Sequence, residues 1–117
     1  MSTSTTPLNG WRVGVTADRR ATQQVEVLRR RGAEVVTGCT MRTLDLSHDP
    51  RLLEASQALI DHPPNTTIIQ TGMGLTIWLE AMDAVGVGSE LRSSLAGAEI
   101  LTRGPKATSA ARKAGFE

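Results

Sequence analysis

Short runs of apolar residues alternate along this chain with longer stretches in which apolar positions recur at helical spacing. The first pattern marks buried strands and the second amphipathic helices. Trp11-Arg12-Val13-Gly14-Val15 is the first such run and predicts a buried strand. It leads into Ala17-Asp18-Arg19-Arg20, where Asp18 is placed to cap a helix over residues 20–31. Val25 and Leu28 lie on one face of that helix, and Arg29, Arg30 and Arg31 suit the negative end of its dipole. Gly32 is placed to stop it. Ala33 to Thr37 reads as the next strand. A strand, a helix and a strand in this order predict a parallel pair with a right-handed crossover.

The pattern breaks between Gly38 and Ser47. Met41, Leu44 and Leu46 are apolar there, but Arg42, Thr43 and Asp45 interrupt them, so an extended connector fits better than a helix. Asp49-Pro50 then opens a helix, with Asp49 as N-cap and Pro50 at the first helical position. Leu52, Leu53, Ala55, Ser56, Leu59 and Ile60 form its apolar face, and Pro63-Pro64 ends it. Ile68-Ile69 centre a third strand. Leu75, Trp78, Leu79, Met82 and Val85 follow at helical spacing and predict a helix over residues 75–85 with Trp78 in the core. Ser89 is placed to cap a short helix through Leu95. Ile100-Leu101 mark a fourth strand, and a last helix runs from Pro105 to Gly115. The fold class is α/β, built from parallel β-α-β units.

Composition narrows this picture. A chain of 117 residues can bury a real core. Aromatic residues make up 3% (Trp11, Trp78, Phe116 and no tyrosine), so the core must come from Val, Ile, Leu, Ala and Met. A net charge of +1 implies no strong field for nucleic acid or membrane. Cys39 is the one cysteine and cannot form an internal disulfide, which fits a reducing compartment. No apolar run approaches the ~20 residues that span a bilayer. Met1 to Pro7 lacks the basic start and apolar stretch of a signal peptide and reads as a disordered lead-in. A cytoplasmic protein with no membrane partner is expected.

Several chemistries find no motif. No glycine-rich P-loop is present, and Gly72-Met73-Gly74 falls short of a dinucleotide fingerprint because Ile77 occupies the third glycine position. His48 and His62 have no spaced Cys/His partner, so no metal is expected. No serine sits in a nucleophile elbow. The strand-to-helix turns are the better candidates. Backbone N–H groups at a helix N-terminus bind anionic oxygens. Arg19, Arg20, Arg103 and Lys106 add charge beside two of these turns, and Thr16, Thr71, Thr102 and Thr108 add hydroxyls. The set suits a ligand with several carboxylates or phosphates. The plainer alternative is that the threonines and glycines are caps and the cations are solvated.

The ordered residues also resemble a family. Gly10-Trp11-Arg12-Val13-Gly14-Val15-Thr16-Ala17-Asp18-Arg19-Arg20-Ala21, followed by Arg30-Arg31-Gly32-Ala33-Glu34-Val35-Val36, resembles the start of uroporphyrinogen-III synthases, most closely the actinobacterial type. Thr71-Gly72-Met73-Gly74 with Trp78-Leu79-Glu80-Ala81 is similar to the strand-to-helix loop of their second domain. Arg103-Gly104-Pro105-Lys106-Ala107 with Ala114-Gly115 is similar to their next one. The resemblance implies a two-domain α/β enzyme that uses no cofactor. Such an enzyme takes the linear tetrapyrrole hydroxymethylbilane, inverts ring D and closes the macrocycle with loss of water. The substrate carries eight carboxylates and binds in the cleft between the domains.

On that resemblance, residues 1–9 are a tail, 10–37 begin a first α/β domain, 38–48 form an extended linker and 49–117 belong to a partial second α/β domain. The strands of Val13 and Val35 are then expected in one sheet and those of Ile69 and Ile100 in another. Ligand contacts are expected from Thr16, Arg19, Thr71, Gly72, Gly74, Arg103, Gly104 and Lys106, with no catalytic role assigned to any of them. Family members are longer, and the tyrosine implicated in their chemistry has no counterpart here. The chain therefore reads as an N-terminal portion, expected to be inactive by itself. The first alternative is the non-catalytic sensor part of a transcriptional regulator, since some actinobacterial relatives carry a C-terminal DNA-binding domain. Nucleic acid would be a partner only through such a domain. A further alternative is a stand-alone flavodoxin-like module with all strands in one sheet.

Overall fold

The structure is a computed structural model, and it describes residues 6–117. The chain divides into two compact units, one up to Leu44 and one from Asp45 onward.

In the first unit, β1 (Arg12–Val15), α1 (Ala21–Arg30) and β2 (Glu34–Thr37) form a β-α-β unit. The strands pair in parallel, with Val13 opposite Val35. Val15, Val25 and Ala33 are the buried apolar residues of this unit. Trp11 lies just before β1 and is 65% exposed, Arg12 and Gly14 are exposed and Val13 is half-buried, so the expected burial of the run holds only for Val15. The Leu8 N–H donates to the Arg31 carbonyl at 2.8 Å, and Trp11 N–H donates to Leu8 at 3.0 Å. These bonds fold residues 6–10 into a turn against the end of α1; residues 1–5 of the expected tail lie outside the described residues. Gly32 has φ +94°, and a Cβ there would press on the Thr6 side chain and the Asn9 backbone, so its lack of a side chain is used twice.

The start of α1 departs from the capping expectation. Arg20, not Asp18, precedes the first helical residue, and it does so in a left-handed conformation (φ 56°, ψ 18°) with no side-chain cap. The Asp18 carboxylate instead accepts the Thr43 N–H at 2.7 Å.

The second unit contains α2 (Pro50–Asp61), β3 (Thr66–Ile69), α3 (Gly72–Ala84), α4 (Gly88–Ala96), β4 (Glu99–Thr102) and α5 (Pro105–Lys113). Strands β3 and β4 pair in parallel, with Ile69 opposite Thr102. Asp49 caps α2 as its position predicts, accepting the Arg51 N–H at 2.9 Å. Ile69, Leu75, Leu79, Met82, Leu91, Leu95, Ala107, Ala111 and Phe116 form the core. Trp78 is half-buried against it. Val85 ends α3 as its C-cap and is exposed. Helix α4 starts at Gly88, one residue before the expected Ser89 cap. Val87 is the N-cap; a Cβ on Gly88 would collide with the Asp83 side chain, which also holds Arg92 of α4 in a bidentate ion pair.

The described strands form two separate parallel pairs, β1 with β2 and β3 with β4. That is the division expected for Val13 and Val35 against Ile69 and Ile100, and it removes the single-sheet module.

Candidate functional site

Because β3 and β4 are neighbours, the turns that follow them meet at one end of the sheet, and Arg103 N–H donates to the Ile69 carbonyl at 3.1 Å. Thr71 is the N-cap of α3, its hydroxyl accepting the Gly74 N–H at 3.0 Å. A Cβ on Gly74 would lie 2.8 Å from that hydroxyl. A Cβ on Gly72 would lie 2.5 Å from the Lys106 carbonyl and 3.1 Å from Ala110 Cβ, so Gly72 lets α3 pack directly on α5. Gly104 is extended with open space around it. The Thr102 and Thr108 hydroxyls hydrogen-bond each other at 2.7 Å, and Thr108 donates to the Gly104 carbonyl at 3.2 Å, so both are consumed within the turn.

Capping and packing thus account for Thr71, Gly72 and Gly74 without a ligand. They also aim the turn. In the first turns of α3 and α5, the N–H groups of Gly72, Met73, Lys106 and Ala107 have no intrahelical acceptor within reach. Arg103 and Lys106 stand exposed beside them. Six of the eight residues expected to contact ligand therefore share one end of the second unit. Thr16 and Arg19 occupy the corresponding end of the first.

A cleft of about 200 Å³ runs beside β3 and α3, lined by Thr67, Gln70, Thr71, Gly74 and Trp78 among others. The indole N–H of Trp78 donates to Ser56 Oγ at 2.7 Å, and Ser56 donates to the Leu52 carbonyl at 2.6 Å. Ser56, 1% exposed, thereby fixes the orientation of one cleft wall. Reading Ser56 only as part of the apolar face of α2 missed this role; a hydroxyl among leucines was the available signal. Thr67 Oγ1 is buried without a partner and is closed off from solvent.

The cations have distinct surroundings. Arg12 pairs with Glu34, Arg30 with Glu26, Arg51 with Asp49 and Arg92 with Asp83. The Arg92 guanidinium holds the Asp83 carboxyl below the usual carboxylate range, and Arg51 does the same for Asp49. Arg29 and Arg31 lie at the carboxyl end of α1, and Arg112 and Lys113 at that of α5, where the helix dipole favours positive charge. Among the described residues this leaves Arg19, Arg20, Arg42, Arg103 and Lys106 with neither an ion pair nor a helix C-terminus. All five lie in segments that follow the carboxyl ends of strands.

Among the described residues no group of His, Cys, Asp and Glu gathers in a metal-binding arrangement. The exposed Cys39 thiol donates to the Met41 carbonyl at 2.6 Å. No helix is long and apolar enough to cross a membrane among the described residues. Comparison of the chain with family models, with curated proteins and with solved structures gave no match.

Proposed function

We propose that the chain is a uroporphyrinogen-III synthase-like protein of the cytoplasm that binds the linear tetrapyrrole hydroxymethylbilane through its carboxylates. The observation that carries this reading is the placement of the uncompensated cations. Arg103 and Lys106 flank the N-terminus of α5, and Arg19 and Arg20 precede that of α1, where the dipole disfavours positive charge unless an anion is bound. Each unit thus has a local demand for anionic oxygen at the ends of its strands. A ligand carrying many carboxylates meets that demand at several points.

The chain's part in such chemistry is binding and orientation. Guanidinium groups grip carboxylates in a planar, two-pronged fashion, and backbone N–H groups add directional donors. Closing a macrocycle without a cofactor depends chiefly on holding the two ends of the substrate together. With no tyrosine in the sequence, this chain lacks the residue that the resemblance implicates in the chemical step. Binding is therefore expected without turnover.

The test is incubation of the purified chain with hydroxymethylbilane, measuring affinity by titration and resolving the uroporphyrinogen isomers formed. Salt-sensitive binding with spontaneous closure to the type I isomer is expected. No binding at low salt would refute the reading, and substantial type III product would refute the absence of turnover.

A further inference from the structure

We propose that the chain self-associates through the free edge of β3, two copies pairing antiparallel about Ile68 into one continuous four-stranded sheet. Two backbone bonds fix which way β3 faces. Glu99 N–H donates to the Asn65 carbonyl at 2.9 Å, and Arg103 N–H donates to that of Ile69 at 3.1 Å. The odd-numbered residues of this stretch thus point their backbone groups at β4. Strand alternation turns those of Thr66, Ile68 and Gln70 to the opposite edge, where none has a hydrogen-bond partner among the described residues. The cleft of about 200 Å³ runs along that edge: it touches every residue from Thr67 to Thr71, with Gly74, Leu75 and Trp78 of α3, and none of β4.

The chemistry of the edge names its occupant as a second copy of this chain. Proteins blunt free strand edges with charge or proline. Strand β1 carries Arg12, β2 carries Glu34 and β4 carries Glu99, whereas β3 carries no charged residue. The sequence from Pro63 to Leu79 is uncharged throughout. A two-fold axis at Ile68 therefore sets no like charges against each other. It places Thr66 opposite Gln70 of the second copy and Ile68 opposite itself, and the three facing pairs exchange about six hydrogen bonds. Ile68 is 64% exposed, and its register partner Leu101 is 45% exposed. Pairing brings the two copies of Ile68 side by side on this uncovered face. Pro64 and the start of α3 limit the pairing to these few residues. Glu99 on β4 disfavours further addition at the outer edges of the joined sheet, so association closes at two copies. The edge is independent of the synthase reading.

Sedimentation equilibrium of the full chain tests the pairing. A contact this short belongs to the weak class that buries less than ~1,200 Å², so the mass is followed from about 10 µM to about 1 mM. A reversible rise from monomer toward dimer, insensitive to salt, is expected. Ile68→Lys and Ile68→Glu each set like charges across the axis and should raise the dimerisation midpoint about tenfold. An equimolar mixture of the two should associate again, because residue 68 meets its own counterpart. Leu101→Lys, on the same face but on β4, should raise the midpoint by less than about threefold. Amide exchange on the parent gives a readout that no variant's folding can disturb. The amides of Thr66, Ile68 and Gln70 should exchange more slowly as concentration rises. Those of Ile100 and Thr102, which face away from β3, should not change. A parent that stays monomeric at about 1 mM, or grows past the dimer, would overturn the pairing. So would equal shifts for Ile68→Lys and Leu101→Lys, or no recovery in the mixture. Association that salt dissolves would instead place the contact between oppositely charged surfaces and overturn it too.

Discussion

Replacing Trp78 tests how the second unit is held together, because its indole joins two helices in two ways. It packs against the Leu75, Leu79 and Met82 core from α3, and it donates a hydrogen bond to Ser56 of α2. A tryptophan side chain of which about 150 Å² is buried contributes roughly 4 kcal/mol at 25 cal/mol per Å². The hydrogen bond adds about 1 kcal/mol. Trp78→Ala should therefore destabilise the unit by about 3–5 kcal/mol. Trp78→Phe keeps most of the area and should cost about 1–2 kcal/mol. Ser56→Ala leaves the indole N–H without its acceptor and should cost a similar amount. The double variant should cost less than the sum by about 1 kcal/mol, since both changes remove the same bond. Urea denaturation followed by far-UV circular dichroism, read on the transition that contains α2 and α3, supplies all four values. Additive effects within about 0.3 kcal/mol would show that the bond contributes nothing. A Trp78→Ala midpoint equal to the parent's would refute core packing altogether.

Four further outcomes are expected of the same protein. Gly72→Ala should destabilise the second unit by about 1–3 kcal/mol, measured by denaturation, because its Cβ would meet the Lys106 carbonyl at 2.5 Å. Arg20→Gly should stabilise the first unit by about 1 kcal/mol, since glycine occupies φ 56° without the penalty of a Cβ; a thermal shift in the opposite direction would contradict this. The Asp49 and Asp83 carboxyls sit below their ordinary value of 3.8 in the folded chain, so the stability they contribute is complete above that value and falls as pH drops through the folded ones. Acid titration of Asp83→Asn should show a smaller loss over that window than the parent does. Arg103→Ala should weaken hydroxymethylbilane binding at low salt and flatten its salt dependence, and equal affinities for variant and parent would remove Arg103 from the site.

How much of this was legible in the sequence depends on how local the cause was. The Asp49-Pro50 start of α2 is determined within a few residues and stood as read. The parallel pairs followed from apolar runs separated by amphipathic stretches, and the break at Gly38 to Ser47 marked where one sheet gives way to the other. The failures have non-local causes. Asp18 had the chemistry of a cap and lost that role to an N–H contributed by Thr43. Ser89 had it too, yet it lies inside the helix, which begins at Gly88 behind a Val87 N-cap. Trp11 was apolar by type, yet it precedes the strand and is left exposed. The six candidate residues of the second unit lie together at one end of it because each belongs to a strand-to-helix turn, a feature with a local signature. The bond from Thr43 to Asp18 was missed because it depends on a loop closing over 25 residues.

The overall charge conceals the feature on which the functional reading depends. A net charge of +1 gave no reason to look for an anionic partner. Residues 1–44 carry seven arginines against three carboxylates, while residues 45–117 carry six cations against nine. The first unit is thus positive and the second negative. Each unit nonetheless keeps its uncompensated cations at the same structural place, where strands end and helices begin. In the second unit this happens against the sign of the unit's own charge, so long-range attraction cannot be what Arg103 and Lys106 provide there. Their effect is confined to about a Debye length, roughly 8 Å at physiological salt. A ligand that uses these cations must therefore bring its anionic groups to the turns themselves.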